Sequence, residues 1–194
     1  ILNTSIVALL ASTLVSCGVE DHDHIGAQEQ AAGTSYLIAM SLNVRIPENS
    51  GEQAWSVRLP YLRDMLRAYD GGRGPHLIGV QEFRRETFED LAAQLPGYWY
   101  RWVDRGDGER LAIFARNDRL TIESWDHRNV SNGARDGSCG WFDAEDPNNR
   151  PIQMVRVRDK QSGRRLAFYN THYPSKNSCE RHGMANIFAD YIAQ

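Results

Sequence analysis

Glu82 closes a short apolar run, His76-Leu77-Ile78-Gly79-Val80-Gln81-Glu82-Phe83, in which hydrophobic side chains give way abruptly to an amide and a carboxylate. Leu77, Ile78 and Val80 read as a strand buried on both faces, and Pro75 behind them excludes an upstream helix. The strand therefore delivers Glu82 at its carboxyl end, where open α/β sheets place their chemistry. Taken alone, such a carboxylate is equally an exposed strand terminus. Two further strand ends change that reading: Asn43 in Ser41-Leu42-Asn43-Val44-Arg45, and His172 in Tyr169-Asn170-Thr171-His172. A parallel or mixed sheet would bring the three ends together. One carboxylate, several amides and one imidazole suit a hard divalent ion that keeps most of its waters, Mg²⁺ or Mn²⁺, and do not suit zinc.

The elements that must position these residues alternate strand and helix. Tyr36 to Arg45 is a mostly apolar strand, stopped by Pro47 and the turn-forming Glu48-Asn49-Ser50-Gly51. Trp55, Leu59, Leu62, Leu66 and Tyr69 recur at helical spacing, and the helix they mark tolerates Pro60 only in its first turn. Gly71-Gly72 ends it, and the Glu82 strand follows, so strand, helix and strand form a crossover unit with both strands in one sheet. A short helix from Thr87 to Leu95 is expected to be capped by Thr87, with Asp90 three residues on. Strands without helices come next, at Tyr98 to Val103, Leu111 to Arg116, Leu120 to Trp125, Ile152 to Arg158 and Leu166 to Thr171. The polar stretch from Asp126 to Arg150 reads as a long loop over a site or a disordered one. Glu180 to Gln194 reads as a helix with Met184, Ile187, Phe188 and Tyr191 on one side.

With 194 residues, 41% apolar and 24% charged, the chain has room for one globular domain and is neither disordered nor fibrous. A formal charge of −3 supplies no general attraction for polyanions, which would have to be held by a local basic patch or by metal. Residues 6–16 form an uncharged apolar run of signal-peptide length, too short to span a bilayer as a helix. Residues 18–35 lack a hydrophobic period and read as a flexible linker, in which the metal-type pattern Asp21-His22-Asp23-His24 is solvated. Three regions follow: a signal segment over 1–17, a linker over 18–35 and a folded domain over 36–194.

Leu14-Val15-Ser16-Cys17-Gly18 resembles the lipobox of bacterial lipoproteins, in which the cysteine carries lipid. That resemblance implies an exported protein of the bacterial cell envelope, tethered to a membrane through Cys17. Export leaves Cys139 and Cys179 as an even pair, either two thiols or a disulfide; a bridge closing their loop would stabilise the fold by about 4 kcal/mol.

The three strand-end motifs, in this order, resemble the first three motifs of the endonuclease/exonuclease/phosphatase superfamily. The resemblance implies an α/β fold, a four-layer α/β/β/α sandwich of two packed mixed sheets, with the C-terminal part missing from these 194 residues. It also implies metal-dependent hydrolysis of a phosphoester, with Glu82 and Asn43 on Mg²⁺ or Mn²⁺ and His172 as the catalytic histidine. Arg45 and Arg84 sit where related secreted deoxyribonucleases carry substrate-binding arginines, and Asn170 is expected with them on the substrate phosphate. The family's later motifs, a Gly-Asp-Phe-Asn type, a further aspartate and a Ser-Asp-His type, have no match after His172, so this stretch by itself is expected to be inactive. The expected partner is a phosphoester: nucleic acid, phospholipid or small phosphodiester; no protein partner is predicted. A nuclease-like phosphodiesterase leads, with a sphingomyelinase-like lipid hydrolase or a non-catalytic binding module on the same fold as alternatives.

Overall fold

The computed structural model describes residues 36–46, 50–130, 150–173 and 178–193. Its elements run β1 (Ala39–Asn43), α1 (Trp55–Arg67), a 3-10 turn (Asp70–Gly72), β2 (Leu77–Phe83), α2 (Arg85–Ala93), β3 (Tyr98–Asp104), β4 (Arg110–Arg116), β5 (Leu120–Val130), β6 (Arg150–Asp159), β7 (Arg165–Thr171) and α3 (Ser178–Ala193). One sheet has the order β1-β2-β4-β3 and the other β5-β6-β7. The parallel β1–β2 pair is the expected crossover product, closed by α1.

Side-chain alternation then builds the layers. On β2 and β4, Ile78, Val80, Ala112 and Phe114 face α1 and α2 and pack with Leu66, Phe88, Leu91 and Leu95. Their neighbours Leu77, Ile113 and Ala115 point the other way, toward Leu120, Val155 and Val157 of the second sheet. A strand with both faces covered reads as a near-continuous apolar run, as β2 does. On β7, Leu166 and Phe168 face inward, while Tyr169 points outward to meet the rings of Phe188 and Tyr191 at 5.6 and 5.8 Å. α3 thus covers the outer face, completing the order helices, sheet, sheet, helix.

The first sheet is mixed, and the second is antiparallel throughout its described strands. Several local expectations are corrected. β5 continues to Val130 because β6 pairs with it as far as Arg150, satisfying its backbone; the polar side chains of 126–129 are exposed and lose no hydration. The first strand is shorter than Tyr36 to Arg45. α1 starts at Trp55, so Pro60 lies in its second turn rather than its first, and has no N–H to return to the Ser56 carbonyl. Thr87 is not a cap but the third residue of α2: its hydroxyl accepts from Arg84 N–H (3.1 Å) and donates to the Arg84 carbonyl (3.0 Å). Asp90 is committed elsewhere, accepting from Trp55 Nε1 at 2.9 Å.

Candidate active site

A β-bulge sets the site. Val80 pairs with Ala112 and Phe83 with Arg110, so Gln81 and Glu82 together oppose Leu111 alone. Val80 and Phe83 both enter the helix-side core although three residues apart, which strict alternation forbids. Glu82 is thereby released from the pleat, at φ +60°, a left-handed conformation rare for a residue with a Cβ. It persists because the flanking side chains are anchored: Phe83 is fully buried, and Gln81 is locked between the sheets.

Three side chains meet at Glu82. Asn43 Nδ2 donates to Oε1 at 2.7 Å, and Asn43 Oδ1 accepts from Arg45 N–H at 2.8 Å, which fixes the amide's orientation. His172 Nε2 lies 3.3 Å from the same Oε1. On the other side of the ring, Nδ1 is 3.4 Å from Nη1 of the buried Arg105. A guanidinium only donates, so a hydrogen bond at this contact requires the tautomer in which Nδ1 accepts and Nε2–H faces Glu82. Hydrogen bonding from His172 holds the Glu82 carboxyl down at about 2; burial opposes the shift, while Asn43 and the Ile46 backbone add to it. Glu82 is therefore ionised across the physiological range.

The strand ends do converge, but His172 does not arrive within the sheet that carries the other two. It comes from β7 in the second sheet, so the meeting of Glu82 and His172 spans the sandwich. Asn170 shows how the two sheets are registered. It is buried at 4% exposure; its Nδ2 has three acceptors for its two hydrogens, the Val80 carbonyl (3.1 Å), the Ala112 carbonyl (2.9 Å) and Gln153 Oε1 (3.2 Å), and its Oδ1 accepts from Gln81 Nε2 at 2.6 Å. An amide so committed has no capacity for substrate, so the phosphate contact expected of Asn170 is replaced by a role as polar staple between the sheets. Arg45 and Arg84 are exposed, each two residues beyond Asn43 and Glu82 respectively; Arg45 also bonds Gln53 Oε1 at 3.3 Å.

Three participants were missed. Arg105 lies in Asp104-Arg105-Gly106-Asp107-Gly108-Glu109, held 3.2 Å from Asp107 and in contact with Glu109. An arginine among three acids in a glycine-rich turn was a legible sign of a fixed cation, although nothing in the sequence joined it to His172. Gln153, bonded to Asn170 between the sheets, and Arg58 of α1 carry no such signal. Cys17 and Cys139 lie outside the described residues, as does the side chain of Cys179, and so do the segments 1–17 and 18–35.

The donor set fits a hard divalent ion. Glu82 offers an ionised oxygen donor, and among the described residues no group of three or more His, Cys, Asp or Glu side chains forms a zinc-type cage. The fold is a two-sheet α/β sandwich with an ionised carboxylate on a bulge between an amide and an imidazole. Comparison with solved structures gives the same answer. An endonuclease/exonuclease/phosphatase family protein from Bacteroides thetaiotaomicron superposes with a TM-score of 0.68 at 26% identity, over 81% of this chain and 58% of that one. A mannosyl-6-phosphatase from the same organism gives 0.67 at 25% identity, over 81% and 59%. The D. rerio TDP2, complexed with a single-strand DNA product, shares the fold at 0.62 and 20% identity, over 81% and 55%. The chain thus spans less than two thirds of the length of each. No protein-family sequence model and no curated protein sequence matches it. In fold and in the order of its strand-end motifs the chain is similar to endonuclease/exonuclease/phosphatase family proteins.

Proposed function

We propose that these residues form the early half of a divalent-metal-dependent phosphoester hydrolase site, used by the whole protein on a phosphodiester of nuclease type. The observation that carries the reading is Glu82: ionised, strained at φ +60°, and held from both sheets by Asn43 and His172. Strain of this kind persists where the surroundings over-determine a residue, and it clusters at functional sites.

Glu82 would hold Mg²⁺ or Mn²⁺, with Asn43 beside it orienting the carboxylate through Nδ2. Such an ion, when bound, supplies charge neutralisation at a phosphate oxygen and at the departing oxygen. His172 presents an Nε2–H toward Glu82, a donor suited to a non-bridging phosphate oxygen brought to the same place. Arg105 behind it keeps the opposite nitrogen an acceptor, so the ring offers a hydrogen bond rather than a base. Arg45 and Arg84, both exposed at strand ends, suit the remaining phosphate charge.

The test uses protein from the full reading frame that contains these residues. With Mg²⁺ it should hydrolyse bis-(p-nitrophenyl) phosphate, lose turnover in excess chelator and in Glu82→Ala, and lose about 10²- to 10⁴-fold in His172→Ala. Full activity in chelator or in Glu82→Ala would defeat the proposal. The mannosyl-6-phosphatase likeness makes a phosphorylated sugar the second substrate class. Plasmid DNA, sphingomyelin and a hexose 6-phosphate assayed side by side decide among them, and no turnover of any would favour a binding module.

We also propose export with a lipid on Cys17 and a Cys139–Cys179 bridge, supported by the lipobox-like sequence and the even cysteine count. Palmitate labelling that survives Cys17→Ala would refute the first. Two alkylatable thiols in the unreduced, unfolded mature protein would refute the second.

A further inference from the structure

We infer that Arg58 is a positioning residue for the Glu82 carboxylate, acting through the turn that follows β1; the inference rests on the metal-assisted reading above. After Asn43 the chain leaves the sheet, and Arg45 adopts φ +57°. A left-handed arginine in an exposed turn is unfavourable unless the turn is held from outside. Arg58, on α1, holds it. Its guanidinium donates to the carbonyls of Val44, Arg45 (3.3 Å from Nη1, 3.4 Å from Nη2) and Ile46 (3.5 Å), so three consecutive carbonyls converge on one cation. Carbonyl dipoles aligned side by side repel, and a planar fork with five donors relieves that repulsion in a way a single ammonium cannot.

Gathering the carbonyls on one side turns the amides to the other. Arg45 N–H reaches Asn43 Oδ1 at 2.8 Å. The Asn43 amide, which bonds the carboxylate, thus takes its orientation from a turn whose conformation Arg58 sets. Arg58 is itself restrained: Nε donates to the Gln53 carbonyl at 2.8 Å, and the guanidinium lies 5.7 Å from the Trp55 ring centroid. It sits in the first turn of α1, about two turns away from Leu66, the buried residue near the helix's other end. The support therefore runs from the helix layer, through the turn, to the strand end that carries the chemistry.

Mn²⁺ binding, titrated by electron paramagnetic resonance on the full-length protein, tests the inference without relying on turnover. Groups that orient a metal ligand typically change affinity 10- to 100-fold when removed. Arg58→Ala should weaken Mn²⁺ by that factor, Arg58→Lys by less, and added guanidinium should restore affinity to Arg58→Ala but not to Glu82→Gln. In turnover, Arg58→Ala should raise the metal concentration needed for half activity, while kcat at saturating metal stays near wild type. Leu66→Ala, which loosens the same helix from the core, should lower Tm and leave Mn²⁺ affinity within twofold. Arg58→Ala binding within twofold of wild type, or Leu66→Ala weakening Mn²⁺ as much as Arg58→Ala does, would overturn the role given to Arg58. If wild type and Glu82→Gln bind Mn²⁺ alike, the metal reading fails first, and that result is distinct from either of these.

Discussion

Gly79→Ala should destabilise the protein through Asn170 rather than through the backbone. Gly79 sits on β2 with no positive φ, so its conformation is open to alanine; space is what forbids it. A Cβ there would lie 2.7 Å from Asn170 Oδ1, 2.9 Å from Cγ and 3.2 Å from Cβ. These atoms belong to the stem of a short side chain held from three directions, so Asn170 must leave its place. Its Nδ2 carries two hydrogens and its Oδ1 accepts one bond from Gln81, so about three hydrogen bonds at about 1 kcal/mol each are lost, roughly 3 kcal/mol in all. For a chain of this size that is a fall in Tm of about 6–12 °C. Denaturant unfolding of the single and double variants checks the mechanism. Asn170→Ala removes the staple and opens room for the new methyl group, so Gly79→Ala in that background should cost less than about 1 kcal/mol. A near-neutral Gly79→Ala, or the same cost in both backgrounds, would refute the reasoning. Where Asn170→Ala is too unstable to measure, Asn170→Ser gives the same comparison with the side chain shortened.

His76 is 1% exposed and its Nδ1 accepts Ile38 N–H at 2.8 Å, while burial first, and then the Arg116 charge, push its pKa below the ordinary 6.5. Below pH 6.5 the unfolded chain therefore binds the proton and the folded one resists it, so stability is complete above that pH and falls as pH drops toward the folded value. His76→Asn, which keeps an acceptor near the Nδ1 position, should flatten that slope in denaturant melts between pH 7 and 5; an unchanged slope would assign it to other groups. Pro60→Ala should stabilise the exposed second turn of α1 by about 1–2 kcal/mol, the restored helical hydrogen bond outweighing the greater freedom of the unfolded chain. A loss of stability in urea unfolding would show that the proline fits the helix without cost.

What was legible in the sequence was whatever depends on chain-local pattern, and what was not legible depends on contacts across the sandwich. The apolar run of β2 showed a strand buried on both faces, and the three strand-end motifs supplied both the family and the residues that meet at Glu82. The layer order followed from the family and is present in the facing of Leu77 against Ile78. Asn170 went wrong for a definable reason: alternation along β7 does not show which sheet its inward face meets. An amide pointing into a sheet-to-sheet space must spend its hydrogen bonds there. Gly79 was the overlooked clue, since a glycine inside a buried strand often marks a close approach by another group, and here that group is Asn170. The bulge was equally hidden, because Gln81-Glu82 reads as one more pair in an alternating strand until Leu111 is found opposite both. The extra residue also gives the motif its chemistry. Without it, alternation would send Glu82 to the helix side with Val80 and Phe83 to the other; with it, Phe83 enters the core and the carboxylate is freed to meet an amide from β1 and an imidazole from the opposite sheet.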